Sequence, residues 1–370
     1  MEMQTQIEAG NISNIGGGTP SAAEIAMSND GFYNATLKKM AAPWTNRDFD
    51  PFVPLNDYIA TFIGIVRDTE SDPNIDFRSI LTDDILYVGN GVTTGYAINS
   101  NQHYLELEAS GANLQTALTQ TTQSAQTGGI PSAATAGLMT TRAASRAFFI
   151  DGTNRAMFRF TLMSQLCVDL EELEDATGVP NRIRQDVSRS PGGDSRLFTN
   201  GCVGCHIGMD PMAQAFAYYD FEYPVDGNGD PDPDRGSLQY NLAGDTDNDI
   251  EVGSRVRKKY HINASNFPYG FVTPDDSWEN YWRQGPNRKL GWSNALTGSG
   301  TGAKTMGEEM ANSEAFAQCQ VKKVFKAVCL RDPVDVADQN QILTTTTNFK
   351  SGYNLKQVFA ETAGYCSAGL

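Results

Sequence analysis

The feature that most constrains this chain is a short run of two cysteines and a histidine, Cys202-Val203-Gly204-Cys205-His206. Two thiols three positions apart lie on one side of a helical turn, where each can form a thioether with one vinyl group of a haem. The histidine that follows can point an imidazole nitrogen at the iron. The spacing therefore predicts one covalent haem c attached through Cys202 and Cys205, with His206 as the proximal iron ligand.

Zinc binding and thiol redox chemistry are the alternative uses of a Cys-x-x-Cys pair. A zinc site needs a second pair of ligands, and the sequence has no other Cys-x-x-Cys and only three histidines. A thioredoxin-like motif follows a strand and opens a long helix, whereas no such pattern precedes residue 202. We therefore interpret the motif as a haem-attachment site.

Composition narrows the choice of partner. The chain has 28 Lys and Arg against 44 Asp and Glu, a net charge of −16. This charge argues against nucleic acid and anionic lipid, and it favours a redox partner protein with a basic docking surface, or cations. No run of about 18 apolar residues is present, so no transmembrane segment is predicted. The sequence leaves open whether the chain forms an oligomer or a larger assembly.

The cysteines also indicate a compartment. Attachment of haem through this motif takes place outside the bacterial cytoplasm or in organelles, and an oxidising compartment favours disulfides between the remaining cysteines. We therefore expect a periplasmic or extracellular protein. The start of the chain, Met1-Glu2-Met3-Gln4, is polar and acidic, so we expect that a signal peptide has already been removed.

Hydrophobic periodicity predicts a mainly α-helical protein with long loops and few short strands, in which a cytochrome-c-like haem helix is embedded. The strongest helical patterns cover 54–66, 157–173, 312–330 and 355–363, and Thr273-Pro274 has the pattern of a helix start. We divide the chain into a flexible N-terminal arm (1–20), an N-terminal helical domain (21–130), a haem-binding c-type cytochrome region (131–223), an acidic, aromatic, loop-rich insert (224–300) and a C-terminal helical hairpin (301–370).

The remaining four cysteines, Cys167, Cys319, Cys329 and Cys366, allow three pairings. Cys319 and Cys329 lie ten residues apart on one predicted helix, about 15 Å by the helical rise, which is too far for a disulfide. If the last two predicted helices run antiparallel, Cys366 lies near Cys319. We therefore expect disulfides Cys319–Cys366 and Cys167–Cys329.

Basic residues precede the motif in this otherwise acidic chain. Arg182 and Arg184 could form charge-assisted bonds with the haem propionates, or they could pair with surface acids.

The sixth coordination position of the iron, opposite His206, is a separate question. A histidine or methionine there would give a low-spin electron carrier, and an open position would permit peroxide or oxygen chemistry. The candidate ligands are His261, His103, Met139, Met306 and Met310.

An acidic loop after the motif is a candidate calcium site. Side-chain oxygens occur at alternate positions in Asp226, Asn228, Asp230 and Asp232, and Ca²⁺ prefers such oxygen ligands. A similar run follows at Asp245, Asp247, Asp249 and Glu251. The pattern is not that of an EF-hand, and a solvated acidic loop remains the alternative interpretation.

The motif is followed by Met209-Asp210-Pro211 and preceded by Ala136-Gly137-Leu138, Leu166-Cys167 and the Arg182 and Arg184 pair. With Phe316 to Arg331, these residues resemble the planctomycete-type cytochrome c domain proteins, which are exported and carry a C-terminal helical domain. The resemblance covers residues 130–370 and, more weakly, 20–130. It implies an exported haem protein and says little about a substrate.

These observations predict a monohaem c-type cytochrome that transfers single electrons outside the cytoplasm and uses its large non-haem portion for partner docking or assembly. One alternative is a peroxidase-like enzyme with an open iron, in which His103 with Arg142 or Arg146 would be the distal acid–base group. A second alternative is a structural or assembly subunit with an accessory haem.

Overall fold

The computed structural model describes residues 2–69, 75–149, 154–178, 183–184, 200–232, 234–245, 253–257, 270–271 and 273–367. Within these ranges the protein is mainly α-helical with few short strands, which confirms the predicted fold class. The α-helices are α1 (Glu2–Glu8), α2 (Ala22–Met27), α3 (Lys38–Ala41), α4 (Asp57–Asp68), α5 (Ser79–Thr82), α6 (Gln102–Ala109), α7 (Leu114–Ala117), α8 (Arg142–Phe148), α9 (Asn154–Thr161), α10 (Val203–Ala213), α11 (Gly302–Ala311), α12 (Glu314–Cys329), α13 (Val336–Phe349) and α14 (Leu355–Ser367).

The strands form two-stranded sheets between the helices. Antiparallel pairs join β1 (Leu86–Gly89) to β2 (Leu118–Thr121), β4 (Tyr219–Glu222) to β5 (Ser237–Tyr240), and β7 (Ser277–Glu279) to β8 (Ser299–Thr301); β3 (Ile183–Arg184) and β6 (Gly270–Phe271) pair in parallel. No helix of the described part is long and apolar enough to cross a membrane.

Helix α4 lies in the centre of the core, as its apolar spacing predicts. Its N-terminus is capped by Asn56, whose side chain accepts a hydrogen bond from the backbone of Ile59 at 3.1 Å. Gly64 faces the ring of Tyr87 on β1 so closely that a Cβ atom would overlap the ring. The absence of a side chain at this position therefore allows the helix to pack directly on the sheet.

One cluster of buried side chains extends from Ala23 to Ala360 and includes residues from each predicted region between 21 and 370. The regions therefore share a hydrophobic core, and the boundaries at 130, 223 and 300 stay a prediction. The segment 1–20, expected to be an arm, contains α1. Its loop is attached to the N-terminus of α2, where the backbone of Ala22 donates to the Asn11 carbonyl at 3.0 Å.

The C-terminal region contains a helix that the sequence analysis missed. Helix α13 lies between the predicted helices α12 and α14, and all three pack on one another. Its apolar pattern is hidden because Thr345 and Thr346 share its buried face with Ile342 and Phe349, and β-branched threonines are weak helix formers. The additional helix reverses the chain once more, so the C-terminal ends of α12 and α14 lie together.

Both predicted disulfides are wrong for this reason. Cys329, at the end of α12, bonds Cys366 near the end of α14, with a Cα–Cα distance of 5.6 Å. Cys167 bonds Cys319 in the middle of α12, with a Cα–Cα distance of 5.3 Å. The predicted pairing required α12 and α14 to be antiparallel neighbours, whereas α13 makes them run in the same direction.

Two further expectations were wrong locally. The helix predicted for 157–173 ends early: α9 continues as a π-helix over Leu162–Leu166, and Cys167 then adopts a left-handed conformation with φ of 56°. The helix start predicted at Thr273-Pro274 is not followed by an α-helix, because Trp278 and its neighbours form β7 and pair with β8. Tertiary pairing therefore outweighs the local cap signal there.

Candidate haem site

The motif occupies the first turn of α10. Cys202 is the residue before the helix, and Cys205 and His206 lie within its first turn. The helix packs closely on an aromatic residue: a Cβ atom on Gly208 would overlap the indole of Trp282, which is buried. This contact fixes the position of α10 against the core and so positions the motif side chains.

The two motif cysteines differ from the other four in the chain. Cys202 and Cys205 are free thiols and are partly exposed, whereas the other four are paired in disulfides. The Sγ atom of Cys205 lies 3.6 Å from the carbonyl oxygen of Leu170. Burial, followed by the charges of Glu174 and Glu171, raises the pKa of the Cys205 thiol. A raised pKa decreases the thiolate fraction of Cys205 at a given pH.

A buried carboxylate orients His206. The Nδ1 atom of His206 lies 3.0 and 3.1 Å from the two carboxylate oxygens of Asp210, one helical turn further on. Asp210 is fully buried and His206 is 17% exposed. Since a carboxylate only accepts, Nδ1–H is the donor in this bond, and the neutral tautomer that can make it has its lone pair on Nε2. This is the arrangement found behind metal-ligating histidines, in which a carboxylate fixes the tautomer and the ring orientation.

Asp210 is also paired with a cation from another helix. The Nε atom of Arg155, on α9, lies 3.0 Å from Oδ1 of Asp210, and the arginine side chain is 16% exposed. A buried carboxylate is costly unless it is paired. The ion pair with Arg155 stabilises Asp210, and Asp210 in turn orients His206. We call these three residues the Arg155–Asp210–His206 chain.

These observations are compatible with haem attachment at this motif, which stays a prediction. Two free thiols flank a helical turn, and the imidazole beside them has its Nε2 atom set as the nitrogen for a metal. Among the residues that the structure describes, no group of three or more His, Cys, Asp or Glu side chains is arranged to hold a metal ion by itself. The zinc alternative therefore gains no support from the described part of the chain.

The sixth-ligand candidates have different surroundings. His103, on α6, is buried; its Nε2 accepts from the Gly89 backbone at 2.8 Å and its Nδ1 donates to the Thr94 carbonyl at 2.7 Å. Both ring nitrogens are therefore hydrogen-bonded within the protein, and the role of His103 as an axial ligand or as a peroxidase-like distal base stays a prediction. His261 lies outside the described residues. The candidate methionines Met139, Met306 and Met310 are core residues, and their role stays a prediction.

The two candidate propionate-binding arginines are not both described. Arg182 lies outside the described residues, and Arg184 forms part of β3, although its side chain is outside the described part. Their pairing with haem propionates therefore stays a prediction.

The candidate calcium loop is organised by backbone hydrogen bonds. Asp226 accepts from the backbone of Asn228 at 2.7 Å and from that of Asp230 at 3.0 Å, and these bonds lower the pKa of its carboxyl group. Asp232 accepts in the same way from Asp234 at 3.0 Å. Calcium binding stays a prediction here. In the second acidic run only Asp245 is described, and it accepts from the backbone of Leu242.

Sequence reasoning missed two parts of the site. The i, i+4 spacing of His206 and Asp210 is visible in the sequence and could have predicted their contact on one helix face. Arg155 could not be found in this way, because it lies on a separate helix and has no local signal.

Comparison with protein-family models, with curated proteins and with solved structures gives no match. The resemblance to planctomycete-type cytochrome c domain proteins therefore rests on the motif and the other stretches of sequence named above, and it stays a prediction.

Proposed function

We propose that this protein is a monohaem c-type cytochrome that transfers single electrons outside the cytoplasm. The observation that carries the proposal is the Arg155–Asp210–His206 chain beside two free thiols. A haem bound there would supply a one-electron couple. Cys202 and Cys205 would hold it covalently, and Nε2 of His206 would be the proximal ligand.

The protein would tune the haem through Asp210 and Arg155, the two residues that support His206. Asp210 accepts a hydrogen bond from the Nδ1–H group and so increases the basicity of the ring, while the ion pair with Arg155 keeps the carboxylate in place. A more basic proximal ligand stabilises the oxidised state of an iron centre and lowers its reduction potential. We therefore expect a potential set largely by this buried carboxylate.

The proposed compartment is the periplasm or the cell exterior. Two disulfides and the absence of a membrane-spanning helix in the described part are compatible with an exported protein. Reducing compartments keep most thiols reduced. The acidic composition favours a basic docking surface on the redox partner.

The direct test is expression in a host with haem-attachment machinery, followed by absorption spectra of the oxidised and reduced protein and a pyridine haemochrome. We expect one covalent haem c per chain, and none in Cys202→Ser with Cys205→Ser. Absence of haem in the unaltered chain from that host would contradict the proposal.

Addition of carbon monoxide to the reduced protein tests the electron-carrier form of the proposal. If the reduced spectrum is unchanged, the iron has two protein ligands. If carbon monoxide binds readily to the iron, the electron-carrier form is contradicted.

A further inference from the structure

A second region of the molecule has features of a ligand site. A cleft of about 760 Å³, within the usual size of small-molecule sites, opens beside α8. Three arginines line it, Arg47, Arg142 and Arg146, with Asp234 as the acidic residue of the lining. The chain as a whole has 44 acidic residues against 28 basic ones. A cleft lined by three arginines and one acidic residue is therefore unusual for this acidic protein.

The side chain of Arg142 is held in place by hydrogen bonds within the protein, without a ligand. Its side chain is buried; Nε donates to the Gly236 carbonyl at 2.8 Å and Nη2 to the Asp234 carbonyl at 3.1 Å. A guanidinium has five N–H donors, so these bonds leave donors toward the cleft. A side chain already held in its binding conformation loses little entropy when a ligand binds.

The nearby buried carboxylate of Asp57 makes no hydrogen bond with the guanidinium of Arg142 among the described contacts, although its charge partly offsets that of the arginine. Asp57 accepts instead from backbone N–H groups, those of Arg142 at 2.5 Å, Ala143 at 3.0 Å and Tyr58 at 3.0 Å. Its oxygens therefore cap the start of α8, and burial raises the pKa of Asp57. The guanidinium of Arg142 keeps its capacity for an external anion.

Arg146 lies one helical turn after Arg142. It is exposed and makes no hydrogen bond or ion pair within the described part of the chain. Like charges four residues apart on a helix repel each other; burial lowers the pKa of Arg142, the charge of Asp57 raises it, and the charge of Arg146 lowers it. An anion between the two side chains would relieve this repulsion. It could also form the bidentate hydrogen bonds that guanidinium groups favour.

The rest of the lining offers neutral hydrogen-bonding groups. Ser100, Asn101, Gln102 and Tyr223 lie on the wall, together with the apolar side chains of Val53 and Leu105. Arg47 also lines the cleft, and its Nε donates to the carbonyl of Ala147 on α8 at 2.7 Å. We propose that this cleft binds a small polyhydroxylated organic anion, whose carboxylate or phosphate group is held by Arg142 and Arg146.

This site is separate from the proposed haem function, since no residue of its lining belongs to α10. Calorimetric titration of the full chain tests it with three probes: inorganic phosphate, glucuronate and neutral glucose. We expect glucuronate or phosphate to bind and glucose not to bind. Glucuronate alone would identify a carboxylate site, and phosphate alone a phosphate site.

Variants decide whether the arginines carry the binding. Arg146→Gln should weaken binding about tenfold, because it removes a charged hydrogen-bond donor, and it should fold normally because Arg146 is exposed. Tyr223→Phe should weaken sugar-acid binding while the ring is kept. Arg288→Gln is the matched control, since Arg288 is exposed and lies outside the cleft. Absence of binding by both anions, or equal effects of Arg146→Gln and Arg288→Gln, would overturn the proposal.

Discussion

Single residues account for much of the candidate haem site. Asp210 has no exposure to solvent, yet it contacts both an imidazole and a guanidinium. Such a buried carboxylate is retained only at a cost in desolvation that its partners must offset. Gly208 contributes differently, because the absence of its side chain lets Trp282 approach the helix.

Replacement of Asp210 by Asn should raise the reduction potential of the haem protein. The amide is neutral and a weaker acceptor, so the proximal ring becomes less basic and the oxidised state less stable. We expect a rise of about 59 mV or more, which corresponds to about tenfold in the ratio of oxidised to reduced protein. Spectroelectrochemical titration measures it, with Asp332→Asn, at an exposed position, as the control. An unchanged potential would show that Asp210 does not tune the iron.

Replacement of Gly208 by Ala should destabilise the protein, even though Ala is the better helix former. The added methyl group overlaps the buried Trp282 indole, and overpacking of this kind costs about 1–3 kcal/mol in the free energy of unfolding. Gly204→Ala is the matched control on the same helix, because its Cβ would lie 3.4 Å from Glu174, an ordinary contact. Chemical denaturation of both variants measures the difference; equal stabilities would contradict the packing argument.

At the scale of elements, the C-terminal helices show why the sequence analysis succeeded in part. Helices α4 and α12 have regular apolar faces, and both were predicted. Helix α13 was missed because threonines occupy its buried face, and that omission led directly to the wrong disulfide pairing. His206 and Asp210 lie on one helix and were within reach of sequence reasoning, whereas Arg155 reaches Asp210 only through the packing of α9 on α10.

The disulfide between α12 and α14 should contribute to stability. It closes a loop of 37 residues, and disulfides of this kind typically contribute about 2–4 kcal/mol to the free energy of unfolding. We expect Cys329→Ser with Cys366→Ser to lose roughly this amount. Peptide mapping of the unreduced protein should recover Cys329 with Cys366, and recovery of Cys319 with Cys366 would contradict the described arrangement.

The start of α13 should make stability depend on acid pH. Asp338 accepts from both terminal nitrogens of Arg331, from the backbone of Val334 and from the Tyr365 hydroxyl. These bonds, that with Arg331 first, hold the pKa of Asp338 well below its usual range. Its stabilising contribution is therefore complete above the unfolded pKa of about 3.9 and is lost as the pH falls through the folded value.

We expect Asp338→Asn to be less stable than the unaltered protein at pH 7, with a difference that shrinks below about pH 4, where the unfolded carboxyl group takes up a proton while the native one stays charged. Thermal unfolding across this pH range measures both proteins. A difference in stability that does not change with pH would show that the charge of Asp338 is not what stabilises the helix.

The whole molecule combines one shared core with an acidic composition. Side chains from residue 23 to residue 360 belong to one buried cluster, so the motif helix is supported by distant parts of the chain. The net charge of −16 is set by the whole sequence. Electrostatic attraction of a basic partner would therefore act over a large part of the surface.

We expect the rate of electron exchange with a basic redox protein to fall as salt rises, because screening weakens long-range attraction; the Debye length shortens from about 10 Å at 0.1 M to about 3 Å at 1 M. Stopped-flow measurements over this range test the expectation, with an acidic redox protein as the control. A rate that rises with salt for the basic partner would show repulsion rather than attraction.

The bond between Cys167 and Cys319 has a consequence for biogenesis. These cysteines are 152 residues apart, and both motif thiols, Cys202 and Cys205, lie between them. A chain that crosses a membrane from its N-terminus exposes Cys167 with Cys202 and Cys205 before Cys319 emerges. If the protein is exported as proposed, oxidation in order of emergence would join Cys167 to a motif cysteine, and correct maturation would then depend on early capture of the motif thiols or on later reshuffling. Trapping the thiols of translocation intermediates would reveal which occurs first.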